Sequence, residues 1–141
     1  MSKANAALSR RWFEEVWNQR RTATIEELLT PESVGHLETG DVHGVEAFKR
    51  VHAEFLAAFP DLRLHVEAVV ADGDDVVVRW RATGHHAGNA FGVAATRQPV
   101  SFRGMTWMRY RAGKLVEGWD SWNQAGLVHE LREAAQTSQE T

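Results

Sequence analysis

There is no cysteine in the chain, which excludes a disulfide framework, thiolate chemistry and a zinc site built on cysteine. Tyrosine occurs once, at Tyr110, near a hairpin end, a poor placement for the phenol of an oxyanion hole. No stretch reaches the length needed to span a bilayer. The start, "MSKANAALSRRWFEE", is charged by residue 10 and has no long apolar core, unlike a secretory signal. Basic residues form no cluster. The 16 Lys and Arg against 19 Asp and Glu leave a net charge of -3, a scattered balance that argues against nucleic acid or an anionic membrane as the main partner. The seven histidines show none of the short spacings that place two on one helix face, so no metal site is expected. Gly84, Gly88 and Gly92 do not match a phosphate-cradling loop, and the nucleophile word Gly-x-Ser-x-Gly does not occur. These absences leave a cytoplasmic protein without nucleic acid, membrane or metal as the expectation.

What is present fits one domain. A chain of 141 residues with 43% hydrophobic residues can bury one sizeable core, expected over residues 1–135, with 136–141 as a frayed tail. Three helices are expected before the main sheet. Leu8, Trp12 and Val16 recur at four-residue spacing, and Phe13 and Trp17 widen the stripe. Thr24 and Glu27 stand at capping-box spacing before Leu28, Leu29 and a closing Pro31. Phe48, Val51, Phe55 and Phe59 mark a third helix between Gly44 and Pro60.

After Pro60 the period changes to two, with Leu62, Leu64, Val66, Ala68 and Val70 on one side and Arg63, His65 and Glu67 on the other. A turn at Asp72-Gly73 returns the chain into "VVVRWRATG", and a glycine-punctuated loop leads to "VSFRGMTWMRYR", where Gly104 suggests a bulge or bend. Ala112-Gly113 reverses the chain into "KLVEGWDSW", and Leu127, Val128 and Leu131 mark a last short helix. Helices followed by long antiparallel strands describe an α+β domain, with three N-terminal helices in the concave face of a curved, mostly antiparallel sheet, a cone-shaped α+β barrel. Such a cone leaves a hollow and hence a candidate pocket.

Asp120 is the residue of interest in the last strand. Alternation puts Val116, Gly118, Asp120 and Trp122 on one face. Facing the hollow, the carboxylate would be desolvated and its pKa raised toward the range of a general base. Facing solvent, it would be an ordinary ion pair. With a two-residue turn at Ala112-Gly113, Met105 opposes Asp120 and Arg103 lies diagonally within reach, a pairing that would lower the pKa and quench the base. Of the aromatic residues, Trp12 and Phe59 read as core. Phe91, in the glycine loop, and Trp107 and Met105, near Asp120, are the better pocket candidates, with Trp122, Phe55 and Trp17 as further walls for a flat, fused-ring ligand.

The words "VGHLETG", "EFLAAFPDLRLHVEAVVADGDDVVVRWRATGHHAGNAFGV" and "GKLVEGWDSWNQAGLVHEL", in that order from about Trp12 to Leu131, resemble the SnoaL-like polyketide cyclase (ester cyclase) group of the nuclear transport factor 2-like superfamily. The resemblance places the family's acid/base carboxylate on Asp120, the histidine of its Gly-x-His-x-Gly word on His86, and the pocket histidine after its second helix on His36. Two departures concern the pocket mouth and the substrate: "AATRQP" replaces the usual Pro-Thr-Gly-Lys, and Asn123 replaces a second carboxylate. It implies a cofactor-independent cyclase or isomerase acting on a small hydrophobic or aromatic carbonyl substrate, assembled as a homodimer through the outer sheet face with Arg79, Arg81 and Trp119. A dehydratase or double-bond isomerase with the same Asp-His set, and a non-catalytic binding or dimerisation module, remain the alternatives. Without the resemblance, His36 and His86 would read as polar residues satisfied at a helix-to-strand junction and in a loop.

Overall fold

The computed structural model describes residues 2–88 and 90–140, with the side chains of 90 and 138–140 outside that description. Helix α1, Ser2–Arg11, runs into a π-helical segment, Trp12–Asn18, and α2 spans Thr22–Leu28. The expected run of three helices is then interrupted. Leu29–Leu37 (β1) and Gly40–His43 (β2) pair as an antiparallel hairpin before α3, Gly44–Ala58. Pro31 lies inside β1, in the stretch between Leu29 and Val34 where pairing with the neighbouring strand is irregular. A residue without an amide hydrogen is tolerated at such a place. Phe59 does end α3, with φ -132° and ψ 79°, because Pro60 crowds a helical conformation in the residue before it.

Strands β3 (Arg63–Asp72), β4 (Asp75–His85), β5 (Pro99–Arg111) and β6 (Lys114–Trp122) follow, and α4 covers Gln124–Glu140. Its backbone is helical through most of the stretch expected to fray. The six strands lie in the order β2-β1-β6-β5-β4-β3, parallel between β1 and β6 and antiparallel elsewhere. The sheet is curved and open, and the N-terminal helices pack on it, giving the α+β fold expected from the sequence. Among the described residues no helix is long and apolar enough to cross a membrane.

Two bulges set which side chains point inward. In β3, Val66 pairs with Trp80 and Ala68 with Arg79, leaving Glu67 as an extra residue. Val69 therefore packs against the core while Val70 is 68% exposed, the reverse of what strict alternation predicts beyond Glu67. In β6, Leu115 pairs with Tyr110 but Glu117 pairs with Arg109, leaving Val116 extra. From there toward Trp122 the register is one residue away from that of an unbulged hairpin.

The π-helical segment has its own effect on the helix layer. Bonds from i to i+5 widen the turn, so Trp12 and Trp17, five apart, fall on one side and both meet Phe48, at centroid distances of 5.2 and 6.4 Å. His52 of α3 donates from Nε2 to the Val16 carbonyl oxygen at 2.7 Å, satisfying a polar group within the segment. Upstream, the hydroxyls of Ser9 and buried Tyr110 pair at 2.9 Å. The sole tyrosine thus ties α1 to β5.

Candidate active site

Between the helices and the concave face of the sheet lies a cavity of about 710 Å³. Its walls are mainly apolar and include the aromatic residues Trp17, Phe48, Phe55, Phe91, Phe102 and Trp122. Phe55 of α3 meets Phe91, Phe102 and Trp122 edge-on at 6.0 to 6.3 Å, and Phe102 stacks on Trp122 at 4.8 Å. Phe91 holds its position with a left-handed backbone, φ 59°, which is strained for a bulky residue. Four of the six expected substrate-binding residues, Trp17, Phe55, Phe91 and Trp122, therefore line one cavity.

Met105 and Trp107 do not. They are 51% and 47% exposed and stand on the outer face of the sheet, because the inward set of β5 is Phe102, Thr106 and Met108. With Val116 bulged, Thr106 rather than Met105 faces Asp120. An unbulged register had brought Arg103 diagonally within reach of Asp120. In the structure Arg103 pairs in register with Arg81, and among the described residues Asp120 has no cationic partner.

Asp120 lines the cavity, and its Oδ1 accepts a hydrogen bond from the Thr106 hydroxyl at 2.7 Å. Thr106 Oγ1 in turn accepts the indole N–H of Trp80 at 2.9 Å. Burial dominates the carboxyl's acidity. It pushes the pKa from 3.8 up to about 6, against the hydrogen bond from Thr106, with a smaller upward push from the Glu38 charge. Asp120 is only half-buried by exposed surface, which agrees with a group that is poorly solvated yet open to the cavity it lines.

Neither histidine suggested by the resemblance lines the cavity. On β1, Gly35 and Leu37 face the cavity, so His36 between them faces out. There its Nδ1 meets Asp41 at 2.8 Å and its Nε2 meets Glu117 at 2.7 Å, while its ring stacks on Trp119 at 5.4 Å. With a carboxylate at each nitrogen, foremost Glu117, the imidazole's pKa is raised. His86 is fully buried against Phe59, at 5.9 Å. Its Nδ1 accepts the Thr96 backbone N–H at 3.2 Å, which leaves the proton on Nε2, and that atom has no partner among the described residues. Burial lowers its pKa, so the ring is neutral.

Thr106 and Glu38 were not singled out by sequence reasoning. The signal for Thr106 was present: on β5 it stands two residues from Met108 and four from Phe102, so alternation along that strand alone puts it on their face. Gly104, expected at a bulge, sits in continuous pairing from Pro99 to Arg109. Its missing side chain makes room instead for Trp80 and Trp122.

A curved, open sheet with helices packed on it and an apolar cavity between them, one poorly solvated aspartate on its wall, is an α+β fold of the nuclear transport factor 2-like kind. The chain belongs to the SnoaL-like polyketide cyclase family, whose profile matches residues 7–131. Among solved structures it is similar to a candidate SnoaL-like polyketide cyclase from Jannaschia sp. CCS1, at 26% identity over 92% of each chain with a TM-score of 0.87. It is also similar to AclR, a candidate hydroxylase from Streptomyces galilaeus, at 30% identity over 94% of this chain and 83% of that one, TM-score 0.82. A third is IdmH, a candidate polyketide cyclase from Streptomyces antibioticus, at 28% identity over 91% of this chain and 98% of that one, TM-score 0.78. No curated protein matches the sequence.

Proposed function

We propose that the protein closes a ring in an enolisable, polyketide-like carbonyl compound, with Asp120 as general acid/base. The carrying observation is the Asp120 carboxyl, pushed up to about 6 on the wall of an aromatic cavity. Near neutral pH such a carboxylate is ionised yet basic enough to take a proton from carbon. It removes the C–H proton flanked by two carbonyls, and the electron pair of that bond forms an enolate. The enolate carbon attacks an internal aldehyde or ketone carbon, a C–C bond forms, and the C=O π pair moves to oxygen as an alkoxide. Asp120, now a carboxylic acid, returns the proton to that oxygen. Offset stacking of the substrate on Phe102, Trp122 and Phe55 would hold the two reacting carbons together.

Both proton transfers fall to one residue. His36 reaches the site only through Glu117, which lines the cavity, and His86 only through Phe59, which packs on the wall residues Phe55, Phe91 and Phe102. The outward face carrying Met105, Trp107 and Trp119 is proposed as the homodimer interface, which sedimentation velocity tests directly.

The chemical test is a pH-rate profile for Kemp elimination of a benzisoxazole, comparing wild type with Asp120→Asn. That reaction reports a desolvated base without the natural substrate. The expected result is a rate that rises through an apparent pKa near 6 and falls at least about 100-fold on mutation, justifying a screen of enolisable ketones for ring closure, dehydration or double-bond migration. A background rate in both proteins would overturn the assignment of a base and leave a binding or assembly role.

A further inference from the structure

We propose that Thr106 is a positioning residue for the acid/base carboxylate, its hydroxyl proton aimed at Asp120 Oδ1 by the Trp80 indole, so that Oδ2 is the oxygen that exchanges protons with a ligand. This rests on the acid/base role of Asp120 and adds the device that orients it. A hydroxyl has one proton and an indole N–H can only donate. Thr106 Oγ1 accepts from Trp80 Nε1 at 2.9 Å, and Asp120 Oδ1 lies 2.7 Å away on the other side. The hydroxyl proton thus goes to the carboxylate, at the distance of a charge-assisted bond.

The indole itself has no room to swing. Trp80 is buried, its ring meets Phe102 edge-on at 6.1 Å and Trp122 at 6.4 Å, and its Cζ2 fills the space left by the missing side chain of Gly104. The register shift at Val116 places Thr106 directly across from Asp120. One carboxylate oxygen is therefore occupied by a donor held from behind, and the carboxylate plane is held with it. A base whose reactive oxygen is fixed loses less freedom when a substrate carbon arrives.

The other charged groups near the carboxylate are acidic. Glu38, from the turn joining β1 and β2, raises the carboxyl's pKa. Glu117 of β6 is engaged by His36 and Arg109, and Glu54 of α3 lines the cavity further off. None of these is a donor that could take over from the Thr106 hydroxyl.

The test measures the Asp120 carboxyl midpoint by carbon NMR titration of the full chain, alongside the Kemp pH-rate profile, in Thr106→Val, Thr106→Ser and Trp80→Phe. Thr106→Val is nearly isosteric and removes the hydroxyl. Its midpoint is expected to move up by about one pH unit, the lower end of what a hydrogen bond to a charged group contributes, with the rate profile moving in step. Thr106→Ser restores both. Trp80→Phe releases the hydroxyl, giving a smaller upward shift and a loss in kcat larger than the change in KM. An Asp120 midpoint unmoved in Thr106→Val, or moved equally in Thr106→Ser, overturns the proposal, and an unmoved midpoint in Trp80→Phe overturns the part given to the indole. If wild type shows no elimination that depends on Asp120, the acid/base function falls, and the NMR midpoints still decide whether Thr106 holds the carboxylate.

Discussion

Gly104 stands opposite Trp122 across the β5–β6 pairing, so near that a Cβ added to it would lie 2.6 Å from the Trp122 Cβ and 2.7 Å from the Ser121 carbonyl oxygen. The backbone oxygen cannot step aside, and the Trp80 ring on the other flank is packed in place. Gly104→Ala is therefore expected to destabilise the fold by about 2 kcal/mol or more, read as a lower urea midpoint. The same substitution at Gly118, where the nearest atom would be at 3.6 Å, should change the midpoint by much less.

Asp120 is expected to weaken the fold at neutral pH. Its folded pKa, about 6, lies above the ordinary 3.8, so between those values the folded state binds more proton than the unfolded one. Stability then falls as pH rises through that window, and above it the cost is on the order of 2 to 3 kcal/mol. Asp120→Asn carries no such charge. Its urea midpoint should exceed that of wild type at pH 7.5, and the lead should vanish by pH 3.5.

His36 works in the opposite sense, since Glu117 and Asp41 raise its pKa above the ordinary 6.5. Its contribution is fully present below the unfolded pKa and is lost as pH rises through the folded one. All three side chains retain solvent exposure, so the contribution stays below about 1 kcal/mol. His36→Gln should lower the melting temperature slightly at pH 6 and not at pH 9, and proton NMR of wild type should show one imidazole titrating late.

His86 is buried neutral, with its pKa lowered. In acid the unfolded chain takes up a proton that the folded ring resists, so stability is lost as pH falls below about 6.5. His86→Asn can still accept the Thr96 N–H, whereas His86→Leu leaves that donor unpaired at a cost of about 1 to 3 kcal/mol. The expected order in urea at pH 7.5 is wild type, Asn, Leu, with both variants less sensitive to acid.

Much of this was legible in the sequence, and the failures share a cause. Period and punctuation located the Phe48 to Phe59 helix, the long strands and their hairpin turn, because each is set by residues close in the chain. Trp17, Phe55, Phe91 and Trp122, named from the sequence as walls, do line one cavity. What failed depended on long-range pairing. The bulge at Val116 set Thr106 instead of Met105 opposite Asp120, so the inference from Asp120 to Met105 and Trp107 failed, and the bulge at Glu67 turned Val70 out; neither is marked by a glycine or proline. The β1–β2 hairpin was missed because β1 contains Pro31, which reads locally as a helix stop. His36 and His86 could be identified as words of a family, but where their rings point follows from strand alternation beside Gly35 and Leu37 and from the contact with Thr96.

The widened helical turn at Trp12–Asn18 fixes a phase relation between two distant jobs. Ser9, before it, is the latch on Tyr110, and Trp17, within it, is part of the cavity wall. Rewinding this stretch as an ordinary α-helix of the same length would rotate one end against the other by about 100°. Either the latch would miss its hydroxyl or the indole would leave the wall. Helix length here behaves like the tooth count of a gear, so that the extra residue and the widened turn have to be gained or lost together.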